Sequence, residues 1–400
     1  MSLTYATPAP PVAGPAADRL PWRALSVLAL LGFLLISTET MPAGLLPQIS
    51  AGMGTSEGIA GQYVSAYALG TILVTVPAIA LTRGFRRKPL LLLGIVGFVL
   101  ANALTAVAPD VVLALAARFV AGGFSGMLWG LLAGYAVRIT PPALTGRALS
   151  LVVAGAPVGI AFGTPLGTWL GTTFDWRWSF GGLAVLTVVV LVLAALLVPD
   201  AAGQRAATGL PLARVVRIPG VAAVLAVIFA WMLGNSTTYT YVAPYLRDAG
   251  SGVSVELLLL VFGVASIGGL ALTAALVDRH PQALVLACTA VFAAAGVVLA
   301  VGHRSPVAVY AAVVLWGVTF GGASPQLQRP LSAVSGDDAD VANAFLPVAF
   351  NLAIFAAGVL GAVLLGAAGG LVVPLAMTVF GVLALLVVVA SRRSVYPGAR

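Results

Sequence analysis

The chain has 400 residues, of which 60% are hydrophobic and only 8% are charged, and its formal net charge is +8. A water-soluble domain carries about 25% charged residues, so this composition excludes a soluble enzyme. The basic residues lie in short loops between apolar runs rather than in one patch. Their placement argues against a nucleic-acid partner and indicates a role in orienting the chain in a membrane.

The chain is poor in residues that bind metals. Its one cysteine, Cys288, lies in an apolar run, which excludes an intramolecular disulfide and makes a cysteine-based metal site implausible. The two histidines, His280 and His303, stand in predicted loops with no second ligand nearby. The sequence therefore predicts no metal site and no cofactor.

Apolar runs of about 20 residues predict twelve membrane-spanning helices in two sets of six. Spans 1 to 6 are predicted near 24–47, 59–81, 88–108, 111–137, 147–172 and 178–198, and spans 7 to 12 near 219–246, 255–277, 282–302, 306–328, 341–367 and 371–391. Two equal sets around a charged central loop predict an all-α membrane protein with an internal duplication, that is, with two pseudo-symmetric halves of six helices each. The predicted domains are a disordered cytoplasmic tail at 1–20, an N-terminal bundle at 21–200, a cytoplasmic linker at 201–218, a C-terminal bundle at 219–392 and a cytoplasmic tail at 393–400.

Arginine and lysine are distributed unequally between the two sides of the predicted membrane. Most of them fall in loops and tails on the side of the chain termini, whereas Arg177, Arg247 and Arg304 fall on the opposite side. Cytoplasmic loops carry an excess of basic residues. The sequence therefore predicts a multi-pass protein of the bacterial plasma (inner) membrane with both termini in the cytoplasm.

Two charged residues lie inside apolar spans. Glu39 is about fifteen residues into span 1 and Arg118 about eight residues into span 4, so the two lie at similar depth and can pair if the spans are neighbours. A charge at such depth costs at least about 2.5–3.5 kcal/mol, which favours a functional role. We interpret Glu39 as a proton or substrate site facing a water-filled cavity. The alternatives are a packing or permanently protonated carboxyl for Glu39, and for Arg118 a structural role in capping carbonyl groups.

Spans 4 and 5 carry glycines four residues apart. The glycines of span 4 are Gly122, Gly126, Gly130 and Gly134, and those of span 5 are Gly155, Gly159, Gly163, Gly167 and Gly171, interrupted by Pro157 and Pro165. Stripes of small residues let helix backbones approach closely. Because prolines interrupt it, the stripe of span 5 is also a candidate bending surface, and Gly159, Gly163, Pro165 and Gly167 are predicted to take part in conformational change.

Several segments together resemble signatures of a known family. The sequence RFVAGGFSG at 118–126 is similar to the span-4 signature of the major facilitator superfamily, and GIAFGTPLGTWLG at 159–171 is similar to the span-5 signature of its antiporters. Four further features also fit the family: DWRWSF at 175–180, Thr38-Glu39 with GLLP at 44–47, YTYVAP at 239–244, and Asn351 with Gly358 and Gly361. Over about residues 22–391 the chain resembles the twelve-span drug:proton antiporter branch, with its arabinose-efflux-permease-like members.

The loop between spans 2 and 3 departs from this resemblance. Where the family pattern has two glycines and an acidic residue, this chain has Ala78, Thr82 and Phe85, although the basic residues Arg83, Arg86 and Arg87 remain. The matching loop between spans 8 and 9 keeps Asp278 and Arg279. We therefore expect the cytoplasmic gate to use Asp278, facing the positive N-terminal end of span 5. The gate residues predicted on this side are Arg83, Arg86, Arg87, Asp278 and Arg279.

The resemblance implies two bundles that rock around a central cavity lined by spans 1, 4, 7 and 10. The candidate cavity residues, besides Glu39 and Arg118, are Trp129, Asn235, Tyr239, Tyr241, Trp316, Gln326 and Gln328. The amides are the stronger candidates because an amide facing lipid is costly, whereas aromatic residues are often interfacial anchors. The implied partners are a small-molecule substrate, protons and membrane lipid, and nothing demands more than a monomer.

These observations predict secondary active export of a small organic compound, such as a drug, sugar or metabolite, by proton antiport and alternating access. Glu39 would take up the proton and Arg118 would tune its ionisation. The first alternative is a facilitator or nutrient importer of the same fold, which needs no titratable residue. A receptor would need a signalling domain that these short loops cannot hold, and a membrane-embedded enzyme would need a catalytic set that the sequence lacks.

Overall fold

The computed structural model of the protein describes residues 19–82, 84–203, 218, 220–336, 342–343 and 345–395. Most of the predicted tail at 1–20 and linker at 201–218 lies outside this part of the chain, as do Arg83 and the end of the predicted C-terminal tail. The described residues are almost entirely helical and include no β-strand. The predicted all-α fold class is confirmed.

The predicted spans correspond to long helices. Those of the first half are Trp22–Thr40 with a 3₁₀ turn at Met41–Gly44, Glu57–Thr82, Arg87–Val107, Val111–Arg138, the series Thr145–Val153, Gly155–Val158, Gly159–Gly163 and Thr164–Thr173, and Trp176–Leu197; a short helix, Leu46–Met53, follows span 1. Those of the second half are Val221–Thr240 continued by Val242–Ala249, Val255–Leu276, Pro281–Val301, Pro306–Gly321 with Ala323–Ser335, Phe345–Ala368, and Val373–Val395. Among the described residues, eleven segments are long and apolar enough to cross a membrane. The 26-residue helix Glu57–Thr82 supplies the remaining span.

Polar residues in the short loops begin the helices that follow them. The carboxylates of Asp110 and Asp175 accept hydrogen bonds from the main-chain amides of Leu113 and Arg177, and the Ser305 hydroxyl is placed to accept one from Ala308. These side chains satisfy amide groups that have no partner in the first turn of a helix. A few loop residues thus fix where spans 4, 6 and 10 start.

The two halves repeat the same helix crossing. A Cβ on Gly70 of span 2 would overlap the Phe119 carbonyl of span 4, and a Cβ on Gly122 would overlap the Tyr67 carbonyl. In the second half, Gly269 and Gly321 meet the carbonyls of Val318 and Ser266 with the same spacing. The prediction that span 4 packs through glycine therefore applies to its first part. Further along, Gly134 has no atom within 4 Å of the position that its Cβ would take.

The glycine stripe of span 5 packs against span 1. A side chain at Gly155, Gly159 or Gly163 would overlap Ala29, Ile36 or Ser37, and one at Gly167 would overlap Met41. Within the stripe, the amide of Thr164 bonds the carbonyl of Gly159 in a single π turn. The next residue, Pro165, has no amide hydrogen to continue the α-helical pattern, which accounts for the irregular turn.

Each half has its own apolar core, and the halves meet mainly at one end of the bundle. We call this end the distal side, since it lies opposite the chain termini, and we call the other end the terminal side. The hydrogen bonds and ion pairs that join the two halves in the described part of the chain lie towards the distal side, and they involve Gln62, Ser65, Thr172, Arg247 and Tyr241. Towards the terminal side, Ala133 and Gly134 of span 4 and Gln328 of span 10 are exposed. The halves therefore close the distal end and separate towards the terminal end.

The packing of spans 1 and 5 makes a direct prediction. Gly155→Ala forces a methyl group against the Ala29 carbonyl and should destabilise the folded protein by about 1–3 kcal/mol, the usual cost of overpacking. Gly134→Ala, at a position with open space, is the matched control. The measurement is the apparent melting temperature of the purified protein in detergent. Equal melting temperatures for the two variants would show that spans 1 and 5 do not pack through this stripe.

Candidate functional site

Arg118 is fully buried where spans 1, 2 and 4 meet. Its Nη2 donates a hydrogen bond to the carbonyl of Thr38 at 2.9 Å, and its Nε donates to the carbonyl of Tyr63 at 3.2 Å. The guanidinium also lies over the rings of Tyr67 and Phe180, at 4.6 and 5.4 Å from the ring centres. Main-chain oxygens and aromatic faces thus stabilise a charge that would otherwise be very costly at this depth.

Proline explains why the Thr38 carbonyl needs this partner. In a continuous α-helix the amide four residues later, that of residue 42, would donate to it. Residue 42 is proline, which has no amide hydrogen, and span 1 changes here into the 3₁₀ turn Met41–Gly44. Arg118 therefore satisfies an acceptor that the break in span 1 leaves open. This is the structural role considered as the alternative for Arg118.

Glu39 is next to this junction and remains unpaired. Its side chain is partly exposed, in contrast to the fully buried Arg118. Among the described residues its carboxylate makes no hydrogen bond and no ion pair; Arg118 influences it only through its charge. The expected Glu39–Arg118 pair is corrected accordingly: the two residues are at the same depth, as predicted, but Arg118 bonds the carbonyl of Thr38 instead of the carboxylate.

The hydroxyl groups of three residues meet beside Glu39. The Thr40 and Thr164 hydroxyls of spans 1 and 5 are 2.5 Å apart. The Tyr239 hydroxyl of span 7 approaches both from the other half, without a hydrogen bond of normal geometry. Tyr239 is therefore the predicted cavity residue that reaches the junction of spans 1 and 5, at the residue that follows Glu39 in the chain.

Asn235 and Trp316 form a neutral pair behind Tyr239. The Trp316 indole donates to the Asn235 side-chain oxygen at 2.8 Å, and both residues are buried. The Tyr239 ring packs edge-on against Trp316, with 6.2 Å between ring centres. In this conformation Asn235 and Trp316 bond each other, and Trp316 packs against the buried Tyr239 ring. Trp129 of span 4 is partly exposed and lies against span 1 at Gly32.

The two glutamines predicted for the cavity occupy different environments. Gln326 is buried inside the second half, where its Nε2 donates to the Thr273 hydroxyl at 2.8 Å and lies 3.4 Å from the Cys288 sulfur. Its placement in the cavity is therefore corrected, because its amide is bonded to spans 8 and 9. Gln328 is exposed on the terminal part of span 10, where the halves separate.

Tyr241 also lies away from the cavity, and its prediction is corrected. The residue is fully buried at the distal side, in a slot whose walls are glycines: Gly58 and Gly61 of span 2 and Gly358 and Gly361 of span 11. Its hydroxyl donates to the Gly358 carbonyl at 2.6 Å and lies 3.3 Å from the Gly58 carbonyl. Glycine is required because a side chain at Gly61 or Gly361 would overlap the ring. Tyr241 is thus part of the contact that closes the distal end.

An ion-pair network surrounds this distal contact. Arg247 of the second half bonds Glu57 of the first half as well as its own neighbour Asp248, whose carboxylate in turn accepts the Gly370 amide at 2.6 Å. Glu256 of span 8 accepts the Thr172 hydroxyl of span 5 at 2.5 Å. The sequence alone does not distinguish these residues, because charged residues are common at helix ends. Their partners depend on which loops the fold brings together.

On the terminal side the charged loops bond within their own halves. Asp278 pairs with Arg329 of span 10 at 2.9 Å, which corrects the expectation that it faces span 5; the neighbouring Arg279 is exposed. Arg86 pairs with Asp200, just after span 6, at 2.5 Å. The main-chain amide of Lys88 also bonds Asp200 and lowers the pKa of its carboxyl group.

Asp200 therefore takes the place of the acidic residue missing from the loop between spans 2 and 3. The amide of Arg87 bonds the Ala201 carbonyl at 2.9 Å, and the Arg138 side chain bonds the Ala202 carbonyl at 3.2 Å. These contacts hold the start of the predicted linker against the first half. Arg83, the remaining predicted gate residue, lies outside the described residues.

Comparison with known proteins identifies the family of this twelve-span bundle. Residues 28–336 match the model of the Major Facilitator Superfamily. The chain belongs to that superfamily. It is 30% identical to a chloramphenicol efflux pump of Mycobacterium tuberculosis (strain CDC 1551 / Oshkosh), covering 85% of both chains. It is 28% identical to the purine ribonucleoside efflux pump NepI of Escherichia coli (strain K12), covering 75% of this chain and 76% of that one.

Solved structures support the same fold. The crystal structure of a D-xylose-proton symporter aligns with a TM-score of 0.72 at 16% identity, covering 91% of this chain and 96% of that one. The crystal structure of the POT family transporter PepTSo aligns with a TM-score of 0.72 at 12% identity, covering 94% of this chain and 99% of that one. The resemblance inferred from sequence motifs is confirmed: the chain is a multi-pass membrane transporter related to efflux pumps.

The role of Pro42 predicts an energetic coupling with Arg118. Arg118→Met removes the donor to the Thr38 carbonyl and should cost about 1.5–3 kcal/mol. In a Pro42→Ala background the amide of residue 42 can bond that carbonyl, so the same substitution should cost less. The measurement is the apparent melting temperature of the two single variants and the double variant.

Arg177 provides the control for this cycle, because it bonds the Ala108 carbonyl away from Pro42. The cost of Arg177→Met should not depend on residue 42. If Arg118→Met were equally costly in both backgrounds, Arg118 would not be compensating for the missing amide.

Proposed function

We propose that the protein exports a small organic compound by proton antiport and alternating access. Its relatives include efflux pumps for chloramphenicol and purine ribonucleosides and a probable sugar efflux transporter of Helicobacter pylori (strain P12). These names favour a drug-like, nucleoside-like or sugar-like substrate and outward transport. Following the distribution of basic loops, we place the terminal side and both termini in the cytoplasm of a bacterium, in its inner membrane.

The observation that carries the proposal is the unpaired carboxylate of Glu39. A carboxylate held in a permanent ion pair would be a poor proton carrier, whereas Glu39 is partly exposed and has no hydrogen bond to any described residue. Arg118 is held by the carbonyls of Thr38 and Tyr63 and forms no ion pair with the Glu39 carboxylate among the described residues. The charge of Glu39 therefore depends on protons or on substrate.

Protonation of Glu39 would change the energy of closing the bundle around it. Burying an ionised carboxylate without a partner is costly, whereas burying the neutral acid costs much less. A proton arriving from the distal side would allow the cavity to close over Glu39 and reopen towards the cytoplasm. Substrate entering from the cytoplasm would compete with the proton for the same carboxylate or cavity, which couples the two movements in opposite directions.

The contacts between the halves support alternating access. Tyr241, Gln62 and Arg247 join the halves distally, which supports a state that is closed on the distal side and opens towards the terminal side. Outward opening would separate spans 2 and 11, while the terminal parts of spans 4 and 10 would come together. The glycines of span 5 and its π turn at Gly159–Gly163 offer a surface on which span 1 could move.

The first test is proton-coupled transport by purified protein in liposomes that contain a pH-sensitive dye. A panel of drugs, sugars and nucleosides should include a compound that drives proton flux. Glu39→Gln should abolish this flux, because an amide cannot carry the proton. Asp110→Asn is the matched control: it changes an acid at a distal helix start, where asparagine caps equally well.

The outcomes separate antiport from its alternative. Proton flux that persists in Glu39→Gln would remove Glu39 from the coupling mechanism. Substrate movement without proton movement in the unmodified protein would favour a facilitator of the same fold and leave Glu39 a structural or substrate-binding residue.

The second test concerns the distal contact. A Cβ on Gly58 would lie 3.3 Å from that of Ala362, close to the spacing of a disulfide. In a Cys288→Ser background, Gly58→Cys with Ala362→Cys should cross-link spans 2 and 11 on oxidation and stop transport, and a reducing agent should restore it. The two single-cysteine variants are the controls. Unchanged transport by the fully cross-linked protein would exclude distal opening between these spans.

A further inference from the structure

A groove lies at the terminal end of span 3. It has a volume of about 360 Å³ and is lined by Phe85, Arg86, Pro89, Leu90 and Leu93. Phe85 and Leu93 are 61% and 60% exposed. One basic residue thus stands at the end of a groove whose other lining residues are apolar.

The groove opens onto an apolar stripe that runs along span 3. Leu93 is followed on the same helix face by exposed Val96, Leu100, Leu104 and Val107. The spacing of three and four residues keeps these side chains on one face of the helix. In a membrane protein, such a continuous exposed stripe faces lipid tails. A molecule seated in the groove would therefore have an apolar path beside it into the bilayer.

The polar end of the groove carries an excess of positive charge. The Arg86 side chain is 77% exposed although it pairs with Asp200. The ammonium group of Lys88 has no hydrogen bond or ion pair with any described residue, and Arg138 approaches the same loops through Ala202. Asp200 is the one carboxylate that this structure gives the cluster within its described residues. One negative charge cannot balance the three cations.

We propose that this groove binds an anionic phospholipid. The headgroup phosphate would lie between Arg86 and Lys88, and one acyl chain would follow Leu93 onto the stripe of span 3. A zwitterionic lipid would bring its own cation close to Lys88 and gain less from the site. This site is separate from Glu39, so the proposal does not depend on proton antiport.

Bound lipid would also act on the contact between Arg86 and Asp200. The phosphate competes with the Asp200 carboxylate for the same guanidinium, and Asp200 begins the segment that leads into the second half. An anionic lipid would therefore loosen the start of that segment.

The test is native mass spectrometry of the intact protein released from nanodiscs that contain equal amounts of phosphatidylglycerol and phosphatidylcholine. The unmodified protein should retain phosphatidylglycerol in preference. Arg86→Gln combined with Lys88→Gln should weaken this retention by about fivefold for each charge removed, since each basic residue near an anionic surface contributes on that order. Arg304→Gln, which removes an exposed arginine on the distal side, should have no effect.

A second variant tests the groove without changing any charge. Leu93→Trp should fill the groove and reduce retained phosphatidylglycerol while leaving the Arg86–Asp200 pair in place. Equal retention of the two lipids by the unmodified protein would overturn the proposal, as would an equal loss in Arg304→Gln. Displacement of the bound lipid by inorganic phosphate alone would show that the site selects phosphate and not a lipid.

Discussion

The hydrogen bond from Arg118 to the Thr38 carbonyl is the interaction on which the candidate site depends. Pro42 breaks the hydrogen-bond pattern of span 1 and leaves a main-chain acceptor open in the middle of the bundle. In a membrane interior such an acceptor must find a partner within the protein. A guanidinium from span 4 supplies it, and its remaining charge is spread over two aromatic faces. The break in span 1 therefore requires a hydrogen-bond donor from another helix, and the buried cation of span 4 is that donor.

This arrangement has a consequence for the carboxylate one residue further along. Two hydrogen bonds to main-chain carbonyls fix the position of the Arg118 charge. Glu39 meanwhile has no ion pair with any described residue. Arg118 acts on the Glu39 carboxylate through its charge alone, so the carboxylate can still change between its ionised and its protonated form. A direct ion pair would have had the opposite effect, since breaking it would cost several kcal/mol at each step of transport.

The sequence predicted the parts of the fold that follow from composition and spacing. Twelve apolar runs, the depth of Glu39 and Arg118 and the glycine stripe of span 5 all correspond to features of the structure, because hydrophobic length and helical period determine them locally. Tyr241 and Gln326 were misplaced for a different reason. A buried polar residue satisfies its hydrogen bonds wherever the fold offers an acceptor, here Gly358 and Thr273. Neither partner can be identified from the residue's position along the chain. Asp200 was missed because its partner Arg86 is separated from it by four spans.

The two halves repeat the same backbone crossing but use it differently. Spans 2 and 4 and spans 8 and 10 approach through paired glycines and carbonyls with identical spacing. In the first half this crossing surrounds the charged Arg118, whereas the second half has the neutral pair Asn235 and Trp316 near its crossing. Among the described residues of the second half, no charged side chain is buried. A neutral pair costs little to bury in any protonation state of the protein. The asymmetry therefore confines the buried charged side chains of the described residues to the first half, while the second half contributes aromatic side chains: Tyr239 next to Thr40 and Thr164, and Tyr241 in its glycine slot.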